Sequence, residues 1–247
     1  MRIDHIENLS RRAFLKAGLT AGAGLTLGVY LPTLAAQEHP AGPGIAGGAE
    51  RAPTVFEPNA FVRIGTDDSV TVIVKHLEMG QGTYTGLPTL VAEELDARWD
   101  QIRAEGAPAD AKRYNNLFWG PAQGTGGSTA MANSWEQLRK AGAAARQMLV
   151  AAAAELWQVP AGEVQVRDGV LSHPSGRRAS FGELAEAAAR QPVPAEVSLK
   201  DPSQVRLIGN PGLRRKDGAG KLDGSDRFTQ DVRLPGMLTA LVAHPPR

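Results

Sequence analysis

The chain has 247 residues, of which 42% are hydrophobic and 21% charged, with a formal net charge of +1. That is an ordinary globular composition, and a charge so near zero argues against nucleic acid as the main partner. With no cysteine, the chain can form no disulfide and no thiolate zinc site, and any iron–sulfur cluster would sit on another polypeptide.

Residues 1–36 read as an export signal. Ser10-Arg11-Arg12-Ala13-Phe14-Leu15-Lys16 has the form of a twin-arginine motif, an apolar run follows over 17–31, and Ala35 and Ala36 offer a cleavage site. The run is shorter than the roughly 18 residues a spanning helix needs, so the segment is left out of the fold. An uncleaved N-terminal anchor is the alternative. Residues 37–57 are rich in Gly and Pro, lack periodicity and read as a linker.

Residues 61–64 and 69–74 pattern as a β-hairpin about Gly65-Thr66-Asp67-Asp68. His76, just beyond, reads as structural or solvent-facing rather than catalytic. The hairpin delivers the chain to Leu77-Glu78-Met79-Gly80-Gln81-Gly82-Thr83-Tyr84-Thr85, after which Leu87, Leu90, Val91 and Leu95 mark a helix over about 86–99. A strand feeding a Gly-rich loop that opens a helix gathers free N–H groups at the positive end of a helix dipole, a place that favours phosphate. Gly80 and Gly82 let the backbone approach a ligand, and Gln81 hydrogen-bonds without adding charge. A plain tight turn is the alternative. Glu93, Glu94 and Asp96 on the helix read as a solvated face rather than a metal site, because hard-cation sites draw their ligands from loops. Residues 101–107 pattern as a short strand.

A second Gly-rich loop, Gly120-Pro121-Ala122-Gln123-Gly124-Thr125-Gly126-Gly127-Ser128-Thr129-Ala130, again precedes a helix, expected over 134–157 with Ser128 or Ser134 as its cap. The hydroxyls of Ser128 and Thr129 and the local N–H groups can bind a further polar part of the same anion. The loop has neither a P-loop ending nor a Rossmann fingerprint. Trp135, Leu138, Gly142, Ala145, Leu149, Ala152 and Leu156 recur at helical spacing and read as core. Beyond Pro160, residues 164–166 and 169–171 predict a hairpin, and Ser180-Phe181-Gly182-Glu183 a capping box opening a helix over 181–190. From Lys200 the chain turns polar and irregular, and Arg214, Arg215 and Lys216 read as solvated surface. Residues 232–234 and 238–242 pattern as strands with little left to cover them, so the sequence is expected to be the N-terminal piece of a longer chain.

Glu78-Met79-Gly80-Gln81-Gly82-Thr83-Tyr84-Thr85-Gly86-Leu87, with Ala92-Glu93-Glu94-Leu95-Asp96 behind it, resembles the molybdopterin-binding large subunits of the xanthine dehydrogenase and aldehyde oxidase family. It resembles in particular the branch that holds the isoquinoline 1-oxidoreductase large chain (its beta component) and the membrane-bound aldehyde dehydrogenases. The likeness covers most of the chain from about Pro58. It implies an α+β fold: a cofactor-binding domain of mixed sheet and packed helices over 58–199, a linker over 200–224, and over 225–247 the truncated start of a small hammerhead-like domain. It implies that Gly80, Gln81, Gly82, Gly126, Gly127, Ser128 and Thr129 hold molybdopterin, with the cytosine dinucleotide form expected from bacterial relatives. The family's catalytic glutamate has no counterpart by motif in these residues, so no catalytic residue and no metal ligand is assigned, and this stretch alone is expected to be inactive. The intact protein would be a periplasmic oxidoreductase, free or at the inner membrane, that oxidises an aldehyde or hydroxylates an N-heterocycle. Electrons would pass to a small [2Fe-2S] partner subunit, with a c-type cytochrome as a further candidate partner. The competing reading is a non-catalytic periplasmic anion-binding or assembly protein using the same loops.

Overall fold

The computed structural model describes residues 24–29 and 59–244, with side chains from Phe61 onward. A four-stranded sheet runs in the order β1-β2-β3-β4: β1 (Gly24–Val29), β2 (Asn59–Gly65), β3 (Val70–Val74) and β4 (Ile102–Gly106). The predicted hairpin is β2 and β3, antiparallel with Ile64 opposite Val70. Strand β4 pairs parallel to β3, with Val70 opposite Ile102. A parallel pair needs a crossover, and the helix α1 (Thr83–Leu95) supplies it. The β-branched residues of β3 fit a pleated surface, and Val70, Val72, Ile73 and Val74 are all buried.

Strand β1 belongs to the apolar run read as part of the export signal. It pairs antiparallel to β2 at the edge of the sheet, because an apolar segment can add to any free strand edge. The twin-arginine motif, the cleavage site and the linker over 37–57 lie outside the described residues.

The long helix α3 (Ala130–Trp157) lies against α1, and α4 (Phe181–Ala189) packs on α3 and on β1 and β2. Between these two lies a small antiparallel sheet of β5 (Gln165–Arg167), β6 (Val170–Ser172) and β7 (Arg178–Ser180). The expected hairpin is β5–β6, turning through Asp168 and Gly169 at positive φ (50° and 76°); β7 has no counterpart among the expected elements. The Ser180 capping box forms as expected: Ser180 Oγ accepts from the Glu183 N–H at 3.3 Å, and Glu183 Oε2 accepts from the Ser180 N–H at 2.7 Å. In α3 the predicted stripe is buried through its middle, whereas Trp135 and Leu156 at its two ends are exposed.

Where α3 meets α1 the backbones touch. A Cβ at Gly142 would lie 2.5 Å from the Val91 carbonyl oxygen and 3.1 Å from Val91 Cα. Gly142→Ala therefore sets a helix-propensity gain of about 1 kcal/mol against an overpacking cost of about 1 to 3 kcal/mol. A net loss of roughly 1 kcal/mol is expected in urea unfolding; a gain in stability would show that the helices part freely.

Three expectations are corrected here. Glu93, Glu94 and Asp96 are buried, not a solvated face. Their partners come from distant stretches: Arg139 and Arg146 on α3, and Lys200 and Arg206 on the polar segment that follows α4. That segment is bound to α1 rather than loose. Second, α1 begins at Thr83 and ends at Leu95, earlier at both ends than the periodicity suggests, with Asp96 in the left-handed region as its C-cap. Third, residues 232–234 and 238–242 form no strand; the chain there is irregular and exposed. An apolar segment of hairpin length without a sheet to join is marginal in water.

Candidate functional site

The exit of β3 is the root of both Gly-rich loops. Lys75, His76 and Leu77 are consecutive, and each reaches a different part of the second loop or of α3. Lys75 Nζ donates to Gln137 Oε1 (2.7 Å), and the Leu77 N–H donates to Thr125 Oγ1 (2.8 Å). His76 lies with Nδ1 at 3.1 Å from the Gly124 carbonyl and Nε2 at 3.2 Å from Asn133 Oδ1. His76 is buried and structural, in keeping with its reading. Both its partners present oxygen, because Asn133 Nδ2 is committed to the Thr129 carbonyl at 2.7 Å. The neutral ring can donate to only one of them at a time. Burial, aided by the neighbouring Lys75 charge, pushes the imidazole below its ordinary pKa against the pull of the Asn133 and Gly124 bonds.

In the first loop, Gly80 and Gly82 take positive φ (106° and 92°) with open space where a Cβ would stand. Gln81 folds back on its own loop. Its Oε1 accepts from the Met79 N–H and its Nε2 donates to the Leu77 carbonyl, both at 2.7 Å. Three of the amides expected to be free for an anion are already taken. Glu78 Oε1 accepts from the N–H groups of Gly80 (2.7 Å) and Gly82 (3.0 Å), and Oε2 from that of Tyr84 (3.0 Å). Arg215, expected to be solvated, pairs with Glu78 at 3.2 Å and donates to the Gly80 carbonyl at 3.2 Å.

The second loop differs. Helix α3 begins at Ala130, four residues before the expected start, with Thr129 as N-cap and no capping side chain. Neither predicted serine caps it. Ser128 sits in the left-handed region (φ 54°), and Ser134 is buried inside the helix, its hydroxyl on Asn133 Oδ1. Gly127 also has positive φ (62°). Thr129 Oγ1 donates to the Gly126 carbonyl (2.9 Å) and accepts from Asn116 Nδ2 (2.9 Å). Asn116 is fully buried and holds the loop between α2 (Ala111–Tyr114) and α3. Trp119 lies so close over Gly124 and Gly126 that a Cβ on either would press on its ring.

The structure thus brings all seven predicted residues, Gly80, Gln81, Gly82, Gly126, Gly127, Ser128 and Thr129, onto two loops joined side by side at Leu77 and Thr125. Gly80, Gln81, Gly127 and Ser128 are exposed on these loops, and Gly82, Gly126 and Thr129 are partly buried. Two cavities of about 200 and 380 Å³ lie elsewhere, lined by neither loop. Leu77, Met79 and Phe118 stand exposed along these loops. Asn116 and Asn133 are not singled out by the sequence, Glu78 stands there only as part of the Gly-rich loop, and Arg215 reads there as solvated surface. Only Glu78 carried a local signal, as an acid ahead of a helix start.

Residues 10–215 match the molybdopterin cofactor-binding domain. The chain belongs to that family. One relative of this molybdopterin-binding chain is the beta component of isoquinoline 1-oxidoreductase from Brevundimonas diminuta, 35% identical over 95% of this chain and 33% of the relative. The membrane-bound aldehyde dehydrogenase (pyrroloquinoline-quinone) of Gluconacetobacter polyoxogenes is 32% identical over 97% of this chain and 30% of its own length. A component chain of the nicotinate dehydrogenase of Pseudomonas putida is 34% identical over 84% and 17%. The chain therefore spans about a third or less of the length of these relatives. Among solved structures, quinoline 2-oxidoreductase from Pseudomonas putida 86 is 21% identical, with a TM-score of 0.41 over 51% of this chain and 15% of that one.

Molybdopterin is anionic through its phosphate, and the two loops fit it differently. At the start of α1 the Glu78 carboxylate already occupies the N–H groups of Gly80, Gly82 and Tyr84. The start of α3 has no capping side chain, stands beside the Ser128 hydroxyl, and carries the dipole of a 28-residue helix; the Thr129 hydroxyl is already given to the Gly126 carbonyl. The donor set there fits an anion, and the open glycine faces of the first loop leave room beside it.

Proposed function

We propose that this chain forms the molybdopterin-holding part of an oxidoreductase that oxidises an aldehyde or hydroxylates an N-heterocycle. The anionic end of the cofactor lies at the start of α3, held by Gly126, Gly127, Ser128 and Thr129, and Gly80, Gln81 and Gly82 pass beside it. When bound, the cofactor supplies the two-electron redox centre, and the chain supplies binding and orientation. Among the described residues none is assigned a part in proton transfer.

The observation that carries this reading is the uncapped start of α3 abutting the glycine loop, within a domain of the molybdopterin-binding family. The isoquinoline and nicotinate relatives are named as components of larger complexes, which supports a [2Fe-2S] partner subunit, with a c-type cytochrome as a second acceptor. The twin-arginine motif supports periplasmic export. A cytosine dinucleotide cofactor and a hammerhead-like domain starting at residue 225 complete the proposal.

The test is analytical. The full-length gene product, purified from a host that makes the cofactor, should contain close to one molybdenum and one pterin per chain. Substituting Gly127 by Val, at a positive φ, should lower both together while the far-ultraviolet circular dichroism stays unchanged. A stable full-length product free of molybdenum and pterin would instead favour an anion-binding or assembly protein.

A further inference from the structure

The Gly80–Gly82 loop carries its own anion. The Glu78 side chain is 8% exposed, and its carboxylate receives the N–H groups of Gly80, Gly82 and Tyr84 and the Thr83 hydroxyl (3.3 Å). Arg215 bridges this carboxylate to the Gly80 carbonyl and is itself held by Asp217 at 2.7 Å. The residues around Arg215 are tied to the first turn of α1 and to Trp99 beyond its end. The Lys216 N–H donates to Thr85 Oγ1 (3.0 Å), Trp99 Nε1 donates to the Arg214 carbonyl (3.0 Å), and the Lys216 ammonium stands 4.4 Å from the centre of the Trp99 ring. Residues 214–217 thus link the first turn of α1 to Trp99 beyond its end.

We propose that Glu78 is the positioning residue of the Gly80–Gly82 loop, an internal anion latched by Arg215 that sets the loop's left-handed shape before any cofactor arrives. Its functional meaning rests on the cofactor-holding reading above. A carboxylate that gathers several amides orders a loop as a bound phosphate would. Because these three amides are already filled, they do not compete with the start of α3 for an anionic group. Burial opposes ionisation of Glu78, but the bonds from Tyr84, Gly82 and Gly80 outweigh it, and the acid is held below its ordinary range. The other charges facing it are Arg215 and, beyond that, Asp217.

Amide hydrogen exchange on the full chain tests this. In Glu78→Ala, exchange at Gly80, Gly82 and Tyr84 should quicken about tenfold or more, as loss of a charge-assisted bond implies, while amides in the middle of α3 keep their rates. Acetate added to the variant should restore part of the protection by entering the vacated row. Arg215→Gln should quicken the same amides to a smaller degree. In the wild-type chain, protection should fall as pH drops through the lowered Glu78 pKa, a step absent from Glu78→Gln. If Glu78→Ala does not fold, that wild-type pH step and its absence in Glu78→Gln decide the matter. Unchanged exchange in the variants, or an equal loss throughout α1 and α3, overturns the proposal. Loop amides that behave as expected in a full-length protein free of molybdenum would leave Glu78 in its role and remove the cofactor reading instead.

Discussion

Glu93→Ala should cost the fold about 3 to 5 kcal/mol, the range for removing one partner from a buried, hydrogen-bonded charge pair. Glu93 Oε2 accepts three successive backbone N–H groups, from Arg206 (2.9 Å), Leu207 (2.6 Å) and Ile208 (3.2 Å), while Oε1 meets Lys200 Nζ at 3.2 Å. No other group stands ready to satisfy those amides among the described residues. Lys200 would lean wholly on Asp96, which it meets at 2.6 Å, and residues 200–208 would lift from α1. Burial acts most strongly on the Glu93 acid and raises its pKa. The bonds from Leu207, Arg206, Ile208 and Lys200 together overcome this, and the folded value lies below the ordinary one. Such a group stabilises the fold above its unfolded pKa and loses that contribution as pH falls through the folded value. The gap between wild type and variant in urea midpoint should therefore be full at pH 7 and close progressively below the ordinary carboxylate range. A loss smaller than about 1 kcal/mol at pH 7 would mean that these bonds are replaced by water at no cost.

The same carboxylates show where reading from sequence stops. Period-2 and helical patterns locate β2, β3, α1, α3, β5, β6 and α4 because each depends on near neighbours in the chain. The two Gly-rich loops are legible for the same reason, as strand–loop–helix junctions. Charge partnerships are not. Glu93 and Glu94 look solvated beside Leu95 and Asp96, and it takes Arg139 on α3 and the arrival of Lys200 and Arg206, more than a hundred positions later, to pair them in the interior. Glu78 looks like an ordinary loop acid until its oxygens are seen on the Gly80, Gly82 and Tyr84 amides. Pattern alone places the start of α3 four residues late because Ser134 has the look of a cap, whereas the helix begins at Ala130 without a capping side chain. Propensity gives weak warning of such a start, since Ala and Met extend a helix readily. The link from Leu77 to Thr125 that joins the loops is a backbone-to-hydroxyl bond with no signature in composition.

Lys75→Met is expected to remove a pH dependence that the wild-type protein shows between pH 7 and 10. Lys75 is 3% exposed. Its ammonium donates to Gln137 Oε1 and has no carboxylate partner among the described residues. Burial alone pushes its pKa down to about 7 from the ordinary 10.5. Below pH 7 the lysine is charged in both states, and the cost of burying that charge is fully felt. Above pH 7 the folded chain releases the proton while the unfolded chain keeps it until about pH 10.4, so stability rises with pH by up to about 1.4 kcal/mol per unit. Over the whole interval the gain approaches roughly 4 to 5 kcal/mol as an upper bound. Lys75→Met keeps the length of the side chain and leaves out the charge. Below pH 7 it should be the more stable protein, less the roughly 1 to 3 kcal/mol lost when Gln137 is left without a donor. Because other lysines and tyrosines also titrate above pH 9, the decisive quantity is the difference in unfolding free energy between the two proteins, measured in urea from pH 6 to 10. It should favour the variant at pH 6 and shift steadily toward the wild type as pH rises. A difference constant with pH would mean that Lys75 keeps an ordinary pKa, and that water reaches it at the strand end where both glycine loops are rooted.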